Sequence, residues 1–144
     1  MSWHASEGAD LQHTDGLVAL EAIHLMKNYR EEGSPFFLAV GFYKPHTPFV
    51  APKRYFEMYD KSKIVVPTVP EGYLDTIPEP AVRSIRKKDQ IDLPEDTARS
   101  AIHAYHATIS YLDARRRLLD ALETLGIEGH YHCAVHLGSW LPYG

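Results

Sequence analysis

Lys44 and His46 stand two apart in the run Tyr43-Lys44-Pro45-His46-Thr47-Pro48. An ammonium is cationic, and an imidazole can move a proton near neutral pH, so both are residue types that can do chemistry. Pro45 and Pro48 narrow the backbone's choices, so the loop that carries the pair is stiff. Spacing alone leaves a second reading open, a proline-rich turn whose two polar residues share no task.

Other residues invite chemistry less strongly. His103 and His106, three apart on an expected helix, could ligate one metal ion, but no third ligand can be placed beside them. Surface or helix-contact roles are the favoured reading. Arg83, Arg86, Lys87 and Lys88 form a basic cluster that could meet an anionic polysaccharide, although a solvated helix face accounts for them more simply. Arg115, Arg116 and Arg117 point in three directions around a helix, which favours solvation over a binding fork. Tyr55, Phe56 and Tyr59 would lie near one helix face, as a platform for a sugar or, by preference, as core or lid packing.

The element that must position Lys44 and His46 is the run before them. Phe36, Leu38, Val40 and Phe42 alternate with Phe37, Ala39 and Gly41, so both faces are apolar between Pro35 and Pro45. This pattern predicts a strand covered on both sides, as in a parallel α/β sheet. Such sheets place their chemistry just beyond the carboxyl ends of the strands, where Lys44 and His46 fall.

The neighbouring elements follow in order. Met1 to His13 is polar and reads as loop. Thr14 or Asp15 can cap a helix whose buried stripe is Leu20, Ile23 and Met26, with Gly33 as its stop. Pro52 suits the first turn of a short helix. Ile64 to Val66 can be a short strand, and the four prolines between Pro67 and Pro80 predict an extended surface excursion. From Pro94-Glu95-Asp96 to Gly126, Ala98, Ala101, Ile102, Tyr105, Ile109, Leu112, Leu119, Leu122 and Leu125 recur at helical spacing. That helix would be roughly 45 Å long at about 1.5 Å per residue, more than one strand can cover. The pattern therefore reads as part of a larger body.

FFLAVGFYKPHTPFVAPKRYFEMYD resembles the sulfatase family, and within it the iduronate-2-sulfatase-like branch. There a strand ending in a lysine-proline-histidine turn delivers a histidine to the sulfate site. TDGLVALEAIHLMKN resembles the helix before that strand, and AIHAYHATISYLDARRRLLDALETLGIE the long helix leading to the next core strand. The resemblance covers most of Leu11 to Glu128, and the KPHTPF turn is its specific part. It implies a partial alkaline-phosphatase-like α/β fold, present as a mostly helical fragment with one core parallel strand. It implies that the complete enzyme hydrolyses sulfate esters, of a sulfated sugar or glycosaminoglycan, with a formylglycine nucleophile and a calcium ion, neither of them held by this fragment. On this resemblance His46 contacts the sulfate or the leaving oxygen, and Lys44 is a second substrate-binding residue. The family's Cys-x-Pro-Ser-Arg motif and aspartate pair are missing, and Cys133 is followed by Ala-Val-His. The expectation is therefore a central fragment at 1–128, inactive alone. A phosphodiesterase or phosphonate hydrolase of the same superfamily, and a non-catalytic binding module, are the alternatives.

Composition narrows the classes. A chain of 144 residues can build one modest domain, and its net charge of −4 argues against a polyanion-binding face, nucleic acid included. A single cysteine excludes an internal disulfide framework and any multi-cysteine metal site. No apolar run is long enough to span a bilayer, and MSWHASEGAD lacks the features of a signal peptide. Since the family is usually secreted, periplasmic or lysosomal, that start is expected to be internal.

Residues 129–144 depart from the family pattern. This segment has no Asp, Glu, Lys or Arg and holds Cys133, His130, His132 and His136. Synonymous codons exist for which a one-base shift turns the tail from His132 into Ile-Val-Leu-Phe-Thr-Ser-Asp-His-Gly-Tyr-His-Met. That is an apolar strand followed by the family's aspartate-histidine-glycine metal motif. A frameshifted tail is the expectation, in preference to an evolved zinc site.

Overall fold

The computed structural model describes residues 2–85, 93–127 and 129. Two short strands, β1 (Trp3–Ser6) and β2 (Phe49–Pro52), pair in parallel with Trp3 opposite Phe49 and Ser6 opposite Pro52. Between them lies helix α1 (Thr14–Glu32), and after them α2 (Lys53–Phe56), α3 (Glu79–Ile85), α4 (Glu95–Asp113) and α5 (Arg117–Thr124). The described residues are thus mostly helical with a two-stranded parallel sheet, which fits a partial α/β fold.

Helix α4 lies on β2 and α2, and α1 meets α5. The core is Phe49, Ala51, Tyr55, Phe56, Ala104, Ala107 and Tyr111. Ala101, Ala104 and Ala107 recur every third residue of α4, and this small-residue face lets the helix approach the strand closely. The expected stripe of large side chains lies elsewhere on the helix. Tyr105, Ile109 and Leu119 are exposed, because the face that meets the sheet is the alanine face. The helix also tightens to three-residue turns at Ala114–Arg116 before α5 begins. Beyond α5, Gly126 adopts a left-handed φ of 62° and the Ile127 amide returns to the Leu122 carbonyl, ending the helix.

Several local expectations are corrected. Residues 36–42 are extended and join no sheet among the described residues. The alternation survives: Phe36, Leu38, Val40 and Phe42 are half-buried, while Phe37, Ala39 and Gly41 are exposed. A strand exists only through its ladder partners, and among the described residues none lies beside this segment. The parallel strand falls instead at Phe49–Pro52, past the turn, where Trp3–Ser6 supplies the partner that had been read as loop. Residues 64–66 form no strand among the described residues. Pro52 precedes α2 as its cap residue. In α1 the buried positions are Asp15, Gly16, Ala19, Ala22 and Met26, so only Met26 of the expected stripe is fully covered. Gly33 ends that helix in the left-handed region, as expected. No helix among the described residues is long and apolar enough to cross a membrane.

Candidate functional site

The Lys44–Pro48 turn closes on itself. The His46 amide donates to the Tyr43 carbonyl at 2.9 Å, and the Lys44 ammonium donates to the Pro48 carbonyl at 2.9 Å. The peptide bonds before Pro45 and Pro48 are both cis. His46 is exposed, and its Nδ1 donates to the Thr47 carbonyl at 2.6 Å. A carbonyl can only accept, so the proton sits on Nδ1 and Nε2 is the ring nitrogen left to meet a ligand.

The turn is tied to the start of α1. Asp15, expected as a helix cap, sends its carboxylate across to the turn, where it accepts from the Tyr43 amide at 3.0 Å and the Lys44 amide at 2.9 Å. The residue preceding the helix is His13, and no side chain caps the first turn. Residues 12–15 thus face the turn across a cleft of about 360 Å³, whose lining includes Lys44, His46, His13 and Tyr111. Spacing alone left open whether Lys44 and His46 share a task; both border the same space. Burial draws the Lys44 ammonium below its usual pKa of 10.5, with the Asp15 charge opposing.

His13 and a polar cluster form the far side. The His13 ring shares a 2.7 Å hydrogen bond with the Ser6 hydroxyl and lies 5.6 Å from the Tyr111 ring. Burial pulls the His13 pKa below 6.5; the Asp10 charge opposes this, while Lys44 and Arg115 add to it. The Tyr111 hydroxyl accepts from the Gly16 amide at 2.9 Å. The Asp10 carboxylate accepts from the Tyr55 hydroxyl at 2.8 Å, from Arg54 at 2.5 Å, and from Arg115. Burial raises the Asp10 pKa, but the bonds from Tyr55 and Arg115 and the two arginine charges outweigh it, leaving the group below 3.8. Arg115 stacks over the Tyr111 ring at 4.6 Å and is 6% exposed, which corrects the expectation of a solvated arginine. Its charge is matched by Asp10, a residue about a hundred positions away that helical spacing cannot reveal.

The remaining candidates take structural places. His103 Nε2 donates to the carbonyls of Phe56 and Tyr59 at 2.9 and 3.1 Å, so that nitrogen is occupied, and the His106 ring packs at a tilt against Tyr59, 5.3 Å between centroids. Tyr55 and Phe56 are buried in the core, in line with packing. Of the basic cluster, Arg83 pairs with Glu79 at 2.9 Å, while Arg86, Lys87 and Lys88 lie outside the described residues. So do the cysteine and the histidines of the tail.

On the resemblance calcium belongs to the complete enzyme, and no residue of this chain is expected to hold it. Among the described residues no three His, Cys, Asp or Glu side chains converge. The two buried carboxylates are already engaged, Asp10 by arginines and Asp15 by amides. Sequence missed Asp10, His13, Tyr111 and Arg115; the one available signal was the polar cluster at residues 10–15, directly before a helix.

Comparison with known proteins supplies the class. No protein-family model matches the chain. Iduronate 2-sulfatase of Homo sapiens is 35% identical over 119 residues, covering 73% of this chain and 22% of that protein. A sulfatase of Formosa agariphila is 35% identical over 103 residues, covering 67% of this chain and 20% of its own length. Choline-sulfatase of Rhizobium meliloti is 29% identical over 126 residues, covering 79% and 25%. The chain belongs to the sulfatase family. It spans about a fifth to a quarter of the length of these relatives.

Proposed function

We propose that the Lys44–His46 turn receives the sulfate group of a sulfate ester, and that residues 1–128 contribute this wall to a sulfatase catalytic domain of the alkaline-phosphatase-like fold. The carrying observation is that Lys44 and His46 border one cleft. Lys44 offsets the anionic charge of the sulfate oxygens. His46, with Nδ1 committed to Thr47, meets the ester through Nε2. When a nucleophile supplied by the rest of the complete enzyme bonds to sulfur and the ester sulfur–oxygen bond breaks, His46 in its imidazolium form gives the Nε2 proton to the departing alcohol oxygen. The similar proteins bear the names of sulfatases, which favours sulfate over a phosphodiester or phosphonate. A sulfated carbohydrate is the proposed substrate class.

Calcium and a formylglycine nucleophile belong to the family resemblance, and no described residue of this chain is assigned to either. Alone, the chain is therefore proposed to bind without turning over. The tail at 129–144 is proposed to be a shifted reading frame, and the nucleotide sequence decides it by encoding Asp-His-Gly in the alternate frame or not.

Titration of the purified chain with inorganic sulfate, followed through its histidine ring NMR signals, tests the site. The His46 signals are expected to shift and saturate, and to lose that response in Lys44→Met. A sulfate-insensitive His46 would remove the proposal. Release of nitrophenol from 4-nitrophenyl sulfate would show instead that the chain is active by itself.

A further inference from the structure

We infer that Asp15 is a positioning residue for the anion-receiving turn, an inference that rests on the sulfate-site reading above. Asp15 is 2% exposed and lies in the first turn of α1, where a carboxylate ordinarily satisfies its own helix's free amides. Here both oxygens are spent on another segment. One accepts from the Tyr43 amide at 3.0 Å and the other from the Lys44 amide at 2.9 Å. Neighbouring amides gripped by two oxygens of one buried carboxylate fix the direction in which the chain enters the turn. The hydrogen bonds further along, from the His46 amide to the Tyr43 carbonyl and from Lys44 to the Pro48 carbonyl, build on that start. Asp15 has no part in the chemistry; it determines where the ammonium and the imidazole stand. A helix start and a loop distant in sequence are thereby coupled, so the cleft between them keeps its width.

Trans-hydrogen-bond NMR couplings from the Tyr43 and Lys44 amide nitrogens to the Asp15 carboxyl carbon test the grip directly in the full chain. Both are expected; if neither is present, the clamp is wrong whatever sulfate does. In Asp15→Asn one acceptor becomes a donor facing an amide. The Tyr43 and Lys44 amides should then exchange much faster, while those of α4 keep their protection. Sulfate affinity at His46 should fall about tenfold. Loosened amides with unchanged sulfate affinity would reduce Asp15 to a structural tie and overturn the positioning role. If wild-type chain shows the couplings but no sulfate response, the sulfate-site reading fails, and the positioning role for that anion fails with it.

Discussion

The backbone amide of Gly16 donates to the hydroxyl of Tyr111 at 2.9 Å, joining the start of α1 to the middle of the α4–α5 rod. The ring of Tyr111 is fully buried and sits under the Arg115 guanidinium. The contact is possible because residue 16 has no side chain. A Cβ there would fall 2.0 Å from the Asp10 carbonyl oxygen, a backbone atom that cannot step aside alone.

Gly16→Ala should therefore destabilise the chain more than Tyr111→Phe. Loss of the hydroxyl removes the bond from the Gly16 amide and a long one, 3.4 Å, to the Asp10 carbonyl, about 1 kcal/mol in all, since the Gly16 amide also reaches the His13 carbonyl. The added methyl forces a backbone shift and should cost about 1–3 kcal/mol, toward the upper end. Urea midpoints of the two variants rank them; the reverse order would mean that α1 can slide away from residue 10.

Removing Arg115 should be costlier still. Arg115→Met leaves the Asp10 carboxylate with Arg54 and Tyr55 alone, and breaking such a buried pair typically costs about 3 kcal/mol. The folded-state pKa of Asp10 is depressed, so its stabilisation is complete above the ordinary value of 3.8 and is lost as pH falls below it. Asp10→Asn should be less stable than wild type near neutrality, and the gap should close in that acid window. A constant gap down to about pH 2 would deny the linkage.

His13 should act in a different window and in the sense expected of a histidine kept neutral. Its folded pKa lies below 6.5, so as pH drops past 6.5 the unfolded chain takes up a proton before the folded one does. Stability should fall on acidification. The groups acting on the ring are Asp10, Asp15, Lys44 and Arg115. The stability advantage of wild type over His13→Gln should shrink between about pH 7.5 and 5.5. A pH-independent difference in chemical denaturation would remove His13 from this account.

Phe37 is 93% exposed on an extended segment with no ladder partner among the described residues. A large apolar side chain exposed on extended backbone invites association with another copy. Phe37→Lys should reduce concentration-dependent association in sedimentation or light scattering, with little change in the unfolding midpoint. Equal association of both proteins would place the sticky surface elsewhere.

The helices were legible in the sequence because helical periodicity is local: a stripe every three or four residues, with Gly33 and Gly126 as stops, needs no knowledge of the partner. The Lys44–His46 turn was legible for another reason, a short motif whose residue types can carry chemistry. Residues 36–42 show the limit. Their alternation was real and their extended shape was correct, but a strand is a relation between two segments. The pairing went to Phe49–Pro52 and Trp3–Ser6. The large residues of α4 had the right period and the wrong face, since burial depends on what the helix lies against.

Sequence by itself determined the family, the helical segments, and the presence of an ammonium and an imidazole on a proline-stiffened turn. Only the tertiary structure decided that Asp15 reaches the amides of Tyr43 and Lys44 rather than its own helix. It likewise decided that Arg115 lies buried against Asp10 and that Lys44 and His46 share a cleft. A side-chain carboxylate or guanidinium is satisfied by whichever donor or acceptor the fold brings within about 3 Å, and that neighbour is set by packing across the chain, not by spacing along it.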